Sequence, residues 1–102
     1  MDVVQVLDAE DTTGSSSAVK IGNYRLINGS IPIMVYGSFT GTVQIEGTIS
    51  TDDEVADNSA VWLPLVGGSF TSTGFMALFT QVSHIRATVD LSGGAVSVRL
   101  YS

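Results

Sequence analysis

Cysteine is absent from the 102-residue chain. This excludes disulfides, thiolate nucleophiles, iron–sulfur clusters and thiolate zinc sites. Positive charge is also scarce. Lys20, Arg25, Arg86 and Arg99 are the only cationic side chains of that kind, against ten Asp and Glu, for a net charge of −6. The isoelectric point is near 4.2. Nucleic acid and anionic membrane are therefore not expected as partners, because phosphate binding needs clustered Lys and Arg. Only 14% of residues are charged and 44% are hydrophobic, the opposite of the balance that keeps a chain disordered. No apolar run reaches the ~20 residues that a membrane-spanning helix needs. Met1-Asp2-Val3-Val4 lacks the basic segment and long apolar stretch of a secretory signal. The expectation is a soluble chain, made in the cytoplasm and kept whole, with one domain of modest core.

Helix signals are missing as well. Long windows lack the i, i+3, i+4, i+7 apolar stripe, and Lys and Glu are few. Short alternating runs recur instead, separated by Gly, Asn, Asp or Ser. Val3–Leu7 is the first predicted strand. The stretch Thr12-Thr13-Gly14-Ser15-Ser16-Ser17 has the makeup of a flexible linker, so residues 1–17 are expected to form an N-terminal arm and loop, with a single β domain over 18–102. Ala18–Ile21 and Tyr24–Ile27 form the next strand. Asn28-Gly29 signals a tight hairpin into Ile31–Tyr36. Gly37–Gly41 is expected to turn into Thr42–Ser50, where Val43, Ile45 and Ile49 oppose Thr42, Gln44, Glu46 and Thr48. Asp52-Asp53-Glu54 and Asp57-Asn58 form an acidic loop. Val61–Val66 is a short strand with Trp62 and Pro64, ended by Gly67-Gly68. Phe70–Phe79 is apolar on both faces and is either buried twice or covered by a partner. Val82–Val89 alternates, Ser92-Gly93-Gly94 is expected to be a hairpin turn, and Val96, Val98 and Leu100 alternate to the end. About eight short strands at regular spacing predict an all-β sandwich or barrel. Eight is the strand number of a jelly roll. "GSFTGT" (Gly37–Thr42) and "GSFTST" (Gly68–Thr73) look alike, as turn-plus-strand chemistry rather than duplication.

Tests for chemistry give no positive. His84 is the only histidine. A catalytic base needs a nucleophile and an orienting carboxylate nearby, and no G-x-S-x-G elbow is present. Alternation places His84 on a solvent face. The acidic loop offers oxygen ligands for calcium but departs from the EF-hand pattern, so a solvated turn is the plainer reading. Glu46 shares an outward class with Arg86 and Arg99, which predicts cross-strand ion pairs of ~0.2–1 kcal/mol each. A glycosidase needs two placed carboxylates, and Glu46 stands alone in mid-chain. Trp62, Tyr24, Tyr36 and Tyr101 suit a sugar platform, but Trp62 lies in the apolar run Val61-Trp62-Leu63 and reads as buried. Asn28-Gly29-Ser30 matches a glycosylation acceptor, for which the hairpin reading suffices. No catalytic residue, cofactor or metal is assigned.

Several stretches together carry a family pattern. "SSAVKIGNYRLI" (Ser16–Ile27) leads from Ser into a strand, a Gly and a second strand. "MVYGSFTGTVQIEGTIS" (Met34–Ser50) ends one strand in Gly-Ser-Phe and opens another as Val-x-Ile-x-Gly. A Trp strand (Val61–Leu65), "FTQVSHIRATVD" (Phe79–Asp90) and "AVSVRLYS" (Ala95–Ser102) complete it. The chain from Ser16 onward resembles small virion proteins of tailed bacteriophages. The resemblance implies a jelly-roll-like antiparallel β-sandwich that decorates or cements the outside of a capsid, with the major capsid protein as partner and a homotrimer as the working form. It transfers no catalytic residue. The expected localisation is the virion surface. Val3, Val4, Val6 and Leu7 of the arm, with Phe75, Met76 and Leu78, are the candidate interface residues, the arm adding a strand to a neighbour's sheet. Removal of Met1–Asp11 is expected to leave the sandwich folded. The alternative is a carbohydrate-binding or structural module of a phage tail or fibre, using exposed aromatics or the acidic loop.

Overall fold

The structure, a computed structural model, describes residues 3–27, 29–78 and 82–102. Asn28, with its hairpin and glycosylation readings, and Phe79, the expected end of a strand, lie outside them. The elements in chain order are β1 (Val3–Glu10), β2 (Gly14–Ser15), β3 (Val19–Lys20), a 3-10 turn (Ile21–Asn23), β4 (Ile31–Thr48), α1 (Asp52–Ala56), β5 (Leu63–Phe70), β6 (Gly74–Leu78) and β7 (His84–Tyr101). All pairings in the sheet are antiparallel. The all-β expectation holds, with seven strands in one open sheet.

Two expected turns are not turns. Ile31–Tyr36 and Thr42–Ser50 join into β4, and the two C-terminal runs join into β7. Each strand is 18 residues long, and the two pair from Ile33↔Leu100 to Thr48↔His84. A straight strand of that length would span roughly 60 Å. The molecule measures 34 × 32 × 21 Å, so both strands bend sharply near their middles. The bend sits where Thr40 faces Gly93 and Gly41 faces Leu91, leaving Ser92 unpaired as a bulge on β7. Gly41 (φ +137°) and Gly94 (φ +78°) occupy backbone conformations that side chains avoid. A Cβ at Gly41 would collide with the Asp90 carbonyl oxygen, and one at Gly94 with that of Ser38.

The bulge also sets the faces. Ile85, Ala87 and Val89 point inward before it, and Val96, Val98 and Leu100 after it. One extra residue changes the inward class from odd to even numbers, and so keeps both halves of β7 on one core. β4 needs no such change: Ile33, Val35, Val43 and Ile45 are all odd and fully buried. The bent ribbon folds over this single apolar cluster, giving a sandwich-like arrangement. One layer runs β1, 96–101, 31–37, β6 in lateral order. The other runs β2 and β3, 84–89, 43–48, β5.

The N-terminal arm is corrected for the described residues. β1 pairs with β7 of its own chain from Val3↔Tyr101 to Glu10↔Val96. Leu7 is buried in the core. The Ser/Thr stretch is not a linker: β2 pairs with Thr88 and Val89, and Ser16 exchanges hydrogen bonds with Ala87 through its backbone N–H (2.8 Å) and its Oγ (2.9 Å). Residues 3–20 thus run along the whole outer edge of β7. The domain boundary placed at 17 has no counterpart in these pairings. Tyr24–Ile27 forms no strand beyond a bridge between Ile27 and Ser30. Gly67-Gly68 lies inside β5 instead of ending it.

Three outcomes test this architecture. Gly94→Ala should cost at least ~3 kcal/mol, because the obstructing atoms belong to the paired backbone. Gly93→Ala, which meets nothing within 4 Å, should stay within ~1 kcal/mol of wild type in urea unfolding. Deletion of Met1–Asp11, contrary to the sequence expectation, should abolish the cooperative thermal transition seen by circular dichroism, since it uncovers Val98 and Leu100.

Candidate functional site

The candidate interface residues separate by burial. Val3 (52% exposed) and Phe75 (78%) face solvent, Val4, Val6 and Met76 are half-buried, and Leu7 (8%) and Leu78 (3%) belong to the core. Leu7 and Leu78 are therefore corrected: their apolar surface is already taken up by this chain's own cluster. The remaining five sit on β1 and β6, the opposite edges of one layer.

Alternation fixes what the outside of that layer presents. Pro32, Met34 and Tyr36 of β4 share it with Phe75 and Ala77 of β6, Arg99 and Tyr101 of β7, and Val3 and Gln5 of β1. Register sets Gln5, Arg99, Met34 and Phe75 in one row across the four strands. Arg99, the one charge among these residues, is tied down. Its Nε donates to Gln5 Oε1 (2.9 Å) and its guanidinium lies 5.3 Å from the Tyr36 ring centre. A shallow hollow of about 170 Å³ lies between Met34, Tyr36, Thr73 and Phe75. The sequence signals this face in two stretches: Phe70–Phe79, expected to be apolar on both faces, and Ile31–Tyr36, which contains no charged residue and no hydrogen-bonding side chain before Tyr36.

The outside of the other layer is polar. Glu46 sits directly opposite Arg86 in register and accepts from Arg86 Nε (2.8 Å) and from Thr88 Oγ1 (2.7 Å). The expected ion pair is present, while Arg99 finds Gln5 and Tyr36 instead. Arg86 also stacks on Trp62, 4.5 Å from the ring centre. Trp62 is half-buried rather than core, covered by a guanidinium. Burial pushes the Glu46 carboxyl up, but the hydrogen bonds from Thr88 and Arg86 and the guanidinium charge outweigh it, leaving the carboxyl below its ordinary value.

The acidic loop is largely a helix. Thr51 caps α1, accepting from the Glu54 N–H, while the Glu54 carboxylate accepts from the Thr51 N–H (2.9 Å). The spacing Thr51-x-x-Glu54 is a capping box, a helix-start signal that the sequence carries within its run of three acids. Asp52 joins α1 to the sheet through Lys20 Nζ (2.7 Å) and His84 Nε2 (2.9 Å). The hydrogen bond from Lys20 holds the Asp52 carboxyl below its usual range. His84 is not on a solvent face: it is 6% exposed, covered from outside by Asp52. Its Nδ1 lies 2.8 Å from Ser83 Oγ, which also reaches the carbonyl oxygens of Thr48 (3.0 Å) and Ser50 (2.9 Å). The Asp52 carboxylate only accepts, so Nε2 donates to it, and the protonation state of Nδ1 sets whether Ser83 Oγ donates to the ring or accepts from it. Among the described residues, no three His, Asp or Glu side chains converge as metal ligands.

Beside this cluster lies an apolar groove of about 390 Å³, floored by Gly47 and Leu65 and rimmed by Ile49, Val61 and Leu63. The chain matches no protein-family model, no curated protein and no solved structure.

Arg86→Ala should destabilise the protein by about 1–2 kcal/mol and shift the fluorescence of Trp62, the sole tryptophan, to the red. Glu46 carries a definite pH sign. Its carboxyl is lowered from the ordinary 4.5, so its contribution is complete above that value and is lost as pH falls through the lowered one. Glu46→Gln should flatten the acid side of the stability profile below about pH 4.5 and leave the neutral plateau parallel to wild type.

Proposed function

We propose that the protein is a structural component of a tailed-phage virion that binds the outside of the capsid as a trimer and decorates or cements the shell. The observation that carries this reading is the difference between the two outer faces. Pro32, Met34, Tyr36, Phe75 and Ala77 make the middle of one apolar and aromatic, with Arg99 held by Gln5 and Tyr36; Glu46, Arg86 and Thr88 make the middle of the other polar and internally paired. A molecule with one such face is suited to lie against another protein surface.

The fold reading that goes with it is a jelly roll. Counted at the bends, and with β2 and β3 taken as one, the chain has eight strand segments, and they pair first with eighth, second with seventh, third with sixth and fourth with fifth. Such nested pairing supports that topology, which recurs in viral capsid proteins and in lectins. Fold alone does not choose between them. The lectin-like alternative needs open aromatic faces, and Trp62 and Tyr36 each have a guanidinium against the ring. Many weakly held copies on one shell act together, so each needs only modest affinity.

Co-sedimentation with intact capsids of the phage encoding the chain tests the proposal. Saturable binding is expected, weakened at least tenfold by Met34→Lys, which places a charge in the centre of the apolar face. Absence of binding by the wild-type chain would refute it.

A further inference from the structure

We propose that copies of this chain join head to tail, the β1 edge of one copy adding to the β6 edge of the next, so that one layer continues from protomer to protomer around a closed trimer. The inference rests on the trimer reading above; closure turns the apolar outer face of the layer toward the three-fold axis, where the other copies cover it, so Met34→Lys weakens capsid binding by breaking the trimer.

Exposed sheet edges are normally blunted by charge, proline, bulges or shortness. Most edge segments here are. The end of β1 carries Asp8 and Glu10, a left-handed Ala9 (φ 49°) and register shifts. β2 and β3 are two residues each. β5 carries Pro64 and loops out over 65–68, four residues facing Ile45 alone. Two stretches lack any such device. β6, Gly-Phe-Met-Ala-Leu, pairs with Ile31–Val35 in unbroken register and has no charge or proline. Val3–Gln5, ahead of the first shift in β1, is equally regular and uncharged. Both lie in the same layer, at opposite ends of its four strands.

Strand direction makes the two edges compatible. Neighbours in the layer are antiparallel throughout, so with four strands β1 and β6 run in opposite directions. Copies related by rotation about an axis along the strands keep their direction. The next copy's β1 therefore meets β6 antiparallel, continuing the ladder without inverting a subunit. Pairing like edges by a two-fold axis would instead leave the other edge open. The faces then fix the register. Val3 and Gln5 point outward, as do Phe75 and Ala77, so odd residues must oppose odd ones. The register with the fullest overlap sets Val3 beside Ala77, Val4 beside Met76 and Gln5 beside Phe75.

Charge exchange tests this directly, using the full-length chain and native mass spectrometry. Wild type is expected as a trimer. Val3→Glu and Ala77→Lys, each at an exposed position, should each weaken assembly at least tenfold with unchanged circular dichroism. The double variant should regain the trimer, because head-to-tail contact sets Glu beside Lys. A monomeric wild type, single variants that assemble like wild type, or a double variant that stays apart would each overturn the proposal. Capsid binding is read separately: a monomer that still coats shells sinks the edge pairing alone, and a trimer that coats none sinks the virion reading alone.

Discussion

The rest of the structure depends on the pairing of β4 with β7. Two strands of 18 residues make one long ribbon, and every other strand attaches to its edges. Left straight, the ribbon would expose one apolar face along its whole length. Bent in the middle, it buries that face against itself. The bend must accommodate two backbones at close approach, which is why Gly41 and Gly94 lie beside it, where any Cβ would strike the opposite strand. The core and the two outer faces all follow from that single fold in the ribbon.

Strand content was legible in the sequence, and so was nearly every inward-facing residue of β4 and β7, because alternation depends only on local pleating. Continuity was not. Ser92-Gly93-Gly94 has the composition of a hairpin turn, and in a short strand pair it would be one. Here the flanking runs Val82–Val89 and Val96–Leu100 each have β4 to pair with on the same side, and a bulge lets the chain pass through instead of reversing. The change of inward class from odd to even numbers was visible across that tripeptide. A turn and a bulge both produce it, and only the long-range partner decides. The Thr12–Ser17 stretch misled for a related reason. Small hydroxyl residues suit a linker, but they equally suit an edge where side-chain oxygens replace missing ladder bonds, as Ser16 Oγ does for the Ala87 N–H.

The polar clusters show how tertiary contacts override local expectation. His84 is on the outward class of β7, as alternation requires, yet it is buried because α1 brings Asp52 over it. Helix α1 is only five residues long, too short to persist by propensity. Its capping box and the Lys20–Asp52–His84 bridge hold it there. The cluster is therefore read as a fastening between a connection and the sheet. Glu46–Arg86–Trp62 does similar work across β4 and β7 on the polar layer, where a paired charge closes off surface that would otherwise invite a partner.

That last point bears on which surface does the binding. Sheet proteins must guard their edges, and this chain guards most of them with acids, a proline and a looped-out strand. Guarding is not uniform: it stops at Val3–Gln5 and at β6, at either side of the one layer whose outer face is apolar. If those edges served only to end the sheet, a single Lys on either would have made them safer without disturbing the core, because Val3 and Ala77 both point outward. Their lack of charge coincides with the apolar outer face and with opposite strand directions at the two ends. Those three features together separate an edge adapted for contact from one that merely lacks a neighbour.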